Sequence, residues 1–236
     1  MPPKKSVKKM LGRELLPKGQ FVLTPEKNIA ETTFLDMEDL NRELESFLMP
    51  YAQQRLAKTG KHSASKSVKI HHVDAWDLPA AKFLDARAQA MFREISGSKT
   101  SVVDLSWANI YFKGDYILPH AHSRSQGSVV YVVSLGDQSD DDPMSGKFTI
   151  SDPRLALCRQ GGEPIMNTNY MPDLKEGSML VFPASVVHMV TPYMGDRPRI
   201  TIAWNINDRE LPPRQEMEAR GIPPHPGKAG MKKLLT

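Results

Sequence analysis

The sequence predicts an α+β domain in which two amphipathic helices pack on an antiparallel sandwich or distorted barrel. Apolar residues recur at helical spacing before residue 100, and the period changes to two, or to short β-rich runs, from Val102 onward. About eight such runs follow, separated by turn residues, which is the pattern of a closed or two-layered antiparallel sheet.

In chain order, a basic leader precedes a short strand at Phe21 to Thr24. Asp36 then stands before a helical pattern with Leu40, Leu44, Phe47, Leu48 and Tyr51 on one face, and Pro50 is expected to kink or end that helix. The small, polar stretch 57–70 predicts a loop. Asp77 and Pro79 open a second helix with Leu84, Ala88, Met91, Phe92 and Ile95 at its apolar spacing. The β-rich runs are VVDLSWANIYF, GSVVYVVSL, GKFTI, GSMLVFP and RITIAWNI. After Asn207, the prolines 212, 213, 223, 224 and 226 favour an extended tail. The expected organisation is a basic leader (1–20), one domain (21–210) with its helices packed on the β core, and a Pro/Lys-rich tail (211–236).

At 236 residues, 40% hydrophobic and 25% charged, the chain suits one sizeable core, and no apolar run approaches the ~20 residues of a membrane span. The opening MPPKKSVKKM lacks an apolar stretch, so a secretory signal is not expected. A single cysteine, Cys158, excludes an internal disulfide and any multi-cysteine metal cluster, which favours a reducing, cytoplasmic setting. Residues 1–20 carry a formal charge of +5, residues 211–236 carry +3, and the body between them carries −4. Because the positive excess lies in the two ends, nucleic-acid binding is not expected as the main function.

The chemistry concentrates in GDYILPHAHSRSQGSVVYVV. His120 and His122 are two apart, so on a strand both imidazoles face the same side and converge on one ion. A third histidine, His188, lies in GSMLVFPASVVHMVTPYMGDRPRITIAWNIN, after the Phe182-Pro183 turn. Two nearby ligands and one distant one form a facial triad that leaves coordination positions open. Of the others, His62 lies in the polar loop, His71 and His72 are adjacent and point apart, and His225 lies in the tail. Arg199 shares a strand face with Thr201, Ala203 and Asn205. An arginine aimed into a small barrel needs an anion, and its planar fork suits a carboxylate. Arg197 has the same parity and is the alternative, with Arg199 favoured. Strand parity also suggests a pocket lined by Val130, Val132, Leu180 and Trp204.

The segments SWANIYFKGDYILPHAHS, SVVYVVSL, FTISDPR, EGSMLVFPASVVHMVTP and RITIAWNIN together resemble the 2-oxoglutarate/Fe(II)-dependent oxygenases of bacteria and marine phages, a branch near the prolyl-hydroxylase-like enzymes. The resemblance runs through roughly residues 104–207. It implies a double-stranded β-helix (jelly-roll/cupin-like) core with N-terminal helices packed on it, Fe(II) on His120, His122 and His188, and Arg199 on the distal carboxylate of 2-oxoglutarate. Ser128, Asn109, Tyr111 and Thr201 would lie near that cosubstrate. The implied reaction decarboxylates 2-oxoglutarate to succinate and CO2 and hydroxylates an unidentified primary substrate. The wider superfamily uses His-X-Asp where this chain has His-Ala-His, a change that makes the site one unit more positive and bears on metal preference. Asp115, Asp137 and Asp152 lack the spacing of a replacement carboxylate.

Two rival readings remain open in the sequence. A cupin-type metal-dependent enzyme or binding protein fits Gly114 and Gly177 ahead of the histidines, with Gln126 where a glutamate ligand is expected and Ser185 in place of a glycine. A non-catalytic binding protein could retain the fold and use its tails for recognition. Residues 57–75 and 137–145, the second holding Asp140, Asp141 and Asp142, are candidate lids or plain connections. A homodimer is the expected assembly.

Overall fold

Helix α1 (Glu38–Thr59) buries Leu40, Leu44, Leu48 and Ala52, one every fourth position, so a single stripe faces the core. Its acidic first turn complements the helix dipole, and the Asp39 carboxylate accepts from the Leu40 amide at 3.0 Å and from Arg13 at 2.9 Å. The expectation that Pro50 kinks or ends this helix is corrected, at least as to its end: the helix runs on to Thr59. Pro50 lies on the exposed face, where water can satisfy the carbonyl it leaves without a donor, while Leu48 and Ala52 hold both flanks in the core. Helix α2 (Pro79–Ser96) begins with Pro79 in its first turn, ends at Gly97 in the left-handed region (φ 69°), and buries Leu84, Ala88, Met91 and Phe92.

The computed structural model describes residues 13–17, 22–24, 29–59, 67–138, 140–151 and 169–211. Most of the basic leader, His62, Asp152, Cys158, His225 and the prolines of the tail lie outside the described residues. No described helix is long and apolar enough to cross a membrane.

The strands are β1 (Val22–Thr24), β2 (Ile29–Thr33), β3 (Val68–His71), β4 (Val102–Tyr111), β5 (Ile117–His120), β6 (Gly127–Ser134), β7 (Phe148–Ser151), β8 (Asn169–Tyr170), β9 (Ser178–Pro183), β10 (Val187–Val190) and β11 (Arg199–Asn207). They form a large sheet in the order β1-β2-β9-β6-β11-β4-β3 and a small one in the order β5-β10-β7-β8, with antiparallel pairing throughout. The 57–70 loop expectation is corrected at both ends, since α1 extends to Thr59 and β3 starts at Val68. That strand is short and interrupted by Lys69, so its alternation is too brief to stand out. The proposed 57–75 lid therefore contains an edge strand and a 3-10 turn (Val73–Ala75).

Alternation on the central strands separates two cores. Ile200, Ile202, Trp204 and Ile206 of β11 join Val129, Tyr131 and Val133 of β6 beneath the helices. Trp107 and Tyr111 of β4, Val130, Leu180 and Ala203 face the small sheet with Phe148, Ile150 and Val190. Trp204 is thus corrected: it faces the helices, where its indole N–H donates to Asp85 of α2 at 3.0 Å. It is one residue out of phase with Ala203 and Asn205, so it cannot share their face. Val130 lines the cavity between the sheets and Leu180 belongs to the core around it, whereas Val132 is buried but is not among the cavity-lining residues.

Candidate metal centre

His120 closes β5 and His188 lies in β10, and the two are direct cross-strand partners. Directly opposed residues of an antiparallel pair project from the same face, which brings the two ring centroids to 4.3 Å. His122 joins them by a different route from the one strand parity suggests. Strand β5 ends at His120, and the segment beyond is anchored by the His122 amide donating to the Ala184 carbonyl at 2.8 Å. Its ring lies 5.1 Å from that of His120 and 5.2 Å from that of His188. One ring nitrogen from each residue falls within 4.8 Å of the others, and among the described residues no other histidine, cysteine or carboxylate group clusters this way.

The backbone sets the tautomers. His120 Nδ1 lies 2.9 Å from the Leu118 carbonyl and His188 Nδ1 lies 3.0 Å from that of Val186. A carbonyl only accepts, so each Nδ1 carries the proton and each Nε2 presents a lone pair. Burial pulls His188 down to about 3 and His122 to about 4, and lowers His120 as well. All three rings are therefore neutral at physiological pH, the form that ligates a metal. The Phe182 and Phe148 rings, 4.9 and 5.7 Å from His188, shield it on the protein side.

Arg199 lies on the opposing wall and is 1% exposed. Its Cζ sits over the Tyr111 ring, 5.0 Å from the centroid. Burial lowers the Arg199 pKa and raises that of Tyr111 to about 12. Nε and Nη1 of Arg199 have no hydrogen-bond partner among the described residues, so a buried cation presents donors to the cavity. A Cβ on Gly146 (φ +63°) would fall 3.0 Å from Arg199 Cδ and 2.9 Å from Tyr193, so this glycine is what lets the loop close over the guanidinium. Arg197 lies elsewhere: its side chain is 57% exposed and bonds the Gly136 carbonyl near Asp137 and Glu176.

The remaining sequence candidates line the same cavity. Asn109 is buried with Oδ1 unpartnered, Ser128 donates to Asn205 at 3.0 Å, and Thr201 lies between Arg199 and Ala203. Gln126 does not join them, since its side chain accepts from the Asp208 amide at 2.7 Å. Asp115 is spent on the Phe112 amide, and Asp137 on the amides of Asp196 and Arg197. Lys69, Trp107 and Phe148 also line the cavity and were not expected there. Trp107 shares its parity with Asn109 and Tyr111, a signal present in the sequence, whereas Lys69 sat in the stretch read as loop.

The donors suit the groups that the sequence resemblance implies. Three neutral imidazoles form a facial set for a divalent transition metal, and the unpartnered guanidinium suits the distal carboxylate of 2-oxoglutarate.

Residues 105–205 match a family model described as "Putative 2OG-Fe(II) oxygenase". The fold is similar to that of AviO1 from Streptomyces viridochromogenes (TM-score 0.57, 14% identity, covering 78% of this chain and 91% of that one). It is also similar to a Pseudomonas putida prolyl-4-hydroxylase (0.51, 14%, 76% and 92%) and to HygX from Streptomyces hygroscopicus, solved with nickel and 2-oxoglutarate bound (0.50, 15%, 79% and 87%). No curated protein matches the sequence. The fold shared with these structures is a double-stranded β-helix.

Proposed function

We propose that this chain, a 2-oxoglutarate/Fe(II)-dependent oxygenase, holds its ferrous ion on His120, His122 and His188 and the distal carboxylate of its cosubstrate on Arg199, and that it hydroxylates its primary substrate with release of succinate and CO2. The observation that carries the residue assignment is the buried Arg199 fork, with two unpartnered nitrogens, in the cavity that the three imidazoles also line. A buried guanidinium without an acid is costly, and an anionic ligand removes that cost.

When bound, the ferrous ion supplies the redox chemistry that couples dioxygen to decarboxylation and hydroxylation. The chain supplies the rest. The Leu118 and Val186 carbonyls keep the Nε2 lone pairs of His120 and His188 turned toward a shared centre. The Tyr111 ring, which the guanidinium carbon overlies, backs the Arg199 fork on one side. Ser128 with Asn205, and Asn109, line the wall between anchor and metal, while Phe148 and Phe182 exclude water behind His188. With His-Ala-His in place of His-X-Asp, no carboxylate among the described residues offsets the ion's charge, which raises the weight of the anionic cosubstrate in holding it.

This reading treats residues 21–210 as one catalytic unit. The lone cysteine supports a cytoplasmic setting, and a homodimer is compatible with the assignment.

Anaerobic titration tests the assignment. Fe(II) with 2-oxoglutarate should give the weak visible charge-transfer band of a chelate, and oxygen should then yield succinate. His188→Ala should lose both. If the wild type binds Fe(II) without either signal, the site belongs to a metal-dependent protein of cupin type that does not use 2-oxoglutarate.

A further inference from the structure

The cavity holds a second cation that the cosubstrate scheme leaves unused. Lys69 of β3 pairs with Asn109 of β4, and Asn109 pairs with Thr201 of β11. Opposed residues of antiparallel ladders share a face, so these three form a polar row across the inner surface of the large sheet. The Lys69 ammonium lies 5.8 Å from the Trp107 ring centroid, and the Trp107 ring lies 5.7 Å from that of His122. Lys69 therefore stands on the edge strand beside the metal ligands, whereas Arg199 pairs with Tyr111 farther along the ladder.

Lys69 makes no ion pair with any described residue, and among the described residues no aspartate or glutamate lines the cavity. Its partial burial lowers its pKa, a desolvation that no neighbouring acid offsets. With the three imidazoles neutral, dianionic 2-oxoglutarate balances a ferrous ion, and the charges of Arg199 and Lys69 are both left over. The cosubstrate's distal carboxylate meets Arg199, and nothing yet described meets Lys69.

We propose that Lys69, backed by the face of Trp107, determines specificity for the primary substrate, and that this substrate carries an oxyanion, a carboxylate or a phosphate ester, close to the carbon that is hydroxylated. The inference rests on the oxygenase reading above. A lysine beside an aromatic wall favours an anion joined to a flat or apolar body, because the ammonium meets the charge while the ring covers the carbon skeleton.

The test uses full-length protein loaded anaerobically with Fe(II) and saturating 2-oxoglutarate, so that Arg199 is already engaged. Four probes of similar shape, benzoate, phenyl phosphate, uncharged benzamide and cationic benzamidine, are titrated calorimetrically into wild type, Lys69→Gln and Lys69→Arg. We expect benzoate or phenyl phosphate to bind about tenfold more tightly than benzamide, the effect of one charge-assisted hydrogen bond. Whichever anion binds better identifies the carboxylate or the phosphate class. The preference should vanish in Lys69→Gln and persist in Lys69→Arg, while the Kd for 2-oxoglutarate stays within about twofold in both. The inference is overturned if the wild type shows no anion preference, or if Lys69→Gln keeps it. It is also overturned if Lys69→Gln loses 2-oxoglutarate in parallel, since Lys69 would then belong to the cosubstrate anchor. If the chelate band is missing in the wild type before any probe is added, the oxygenase reading itself fails and takes this inference with it.

Discussion

Tyr111 stands directly opposite Arg199 in the β4–β11 ladder, with the guanidinium carbon 5.0 Å from its ring centroid. The ring lies under a buried cation, yet two of the guanidinium nitrogens stay unpartnered among the described residues. The fold thus maintains a charge that becomes favourable only when an anion arrives.

Replacing that charge should separate stability from binding. Arg199→Met removes an uncompensated buried cation with a side chain of similar length, so the ligand-free protein should melt no lower than wild type, and up to a few degrees higher. Its affinity for 2-oxoglutarate should fall by roughly a hundredfold, within the ~2–5 kcal/mol seen when one partner of a buried charge pair is lost. Thermal melting without ligand, and titration with it, check the two halves independently.

Metal removal should be visible in stability. A divalent ion at about 100 times its Kd adds about 2.7 kcal/mol, which for a chain of this size is roughly 5–10 °C in Tm. Chelator treatment should abolish that increment in wild type, and His188→Ala should show no difference with or without metal.

Gly146→Ala should weaken both fold and anchor. The new Cβ meets Tyr193 at 2.9 Å and Arg199 Cδ at 3.0 Å, at a backbone φ of +63°. The left-handed conformation alone costs about 1–2 kcal/mol, so the melting point should drop by several degrees. The 2-oxoglutarate Kd should rise several-fold because Arg199 is displaced, whereas Fe(II) binding at the distant histidines should change little.

Asp85, on the sheet-facing side of α2, gives a pH signature unrelated to the site. Burial raises its pKa, outweighing the bonds from Gln89 and Trp204. The folded chain therefore binds this proton more tightly than the unfolded chain, whose value is about 3.9. The contribution of Asp85 to stability is most favourable below that value and is lost as the pH rises through the folded pKa. Asp85→Asn lacks this loss, so its denaturation free energy should improve relative to wild type from about pH 4 upward, as measured by denaturant melts across the acidic range.

Much of this arrangement is legible in residue order. Leu40, Leu44 and Leu48 mark α1, and Pro79 marks the start of α2, because helical spacing and first-turn proline are local properties. The parity of Arg199, Thr201, Ala203 and Asn205 puts all four on the cavity wall for the same reason. For Pro50 and Lys69 the missing term was nonlocal: Pro50 is tolerated because of which helix face meets the core, and Lys69 became visible only once β3 docked on β4. Trp204 is a local matter, since it is out of phase with Ala203 and Asn205 on its own strand.

By itself, the order of residues determined the periodic elements, the presence of three imidazoles and an arginine of inward parity, and the resemblance that ties them to one chemistry. Tertiary structure decided that His120 and His188 face each other across one ladder, that His122 is held from beyond its strand by Ala184, and that Lys69 enters the cavity from the sheet edge. The division has a physical cause. Side-chain direction within an element follows from backbone geometry a few residues long, whereas strand pairing depends on how distant apolar faces are buried together, and no short window of sequence contains that information.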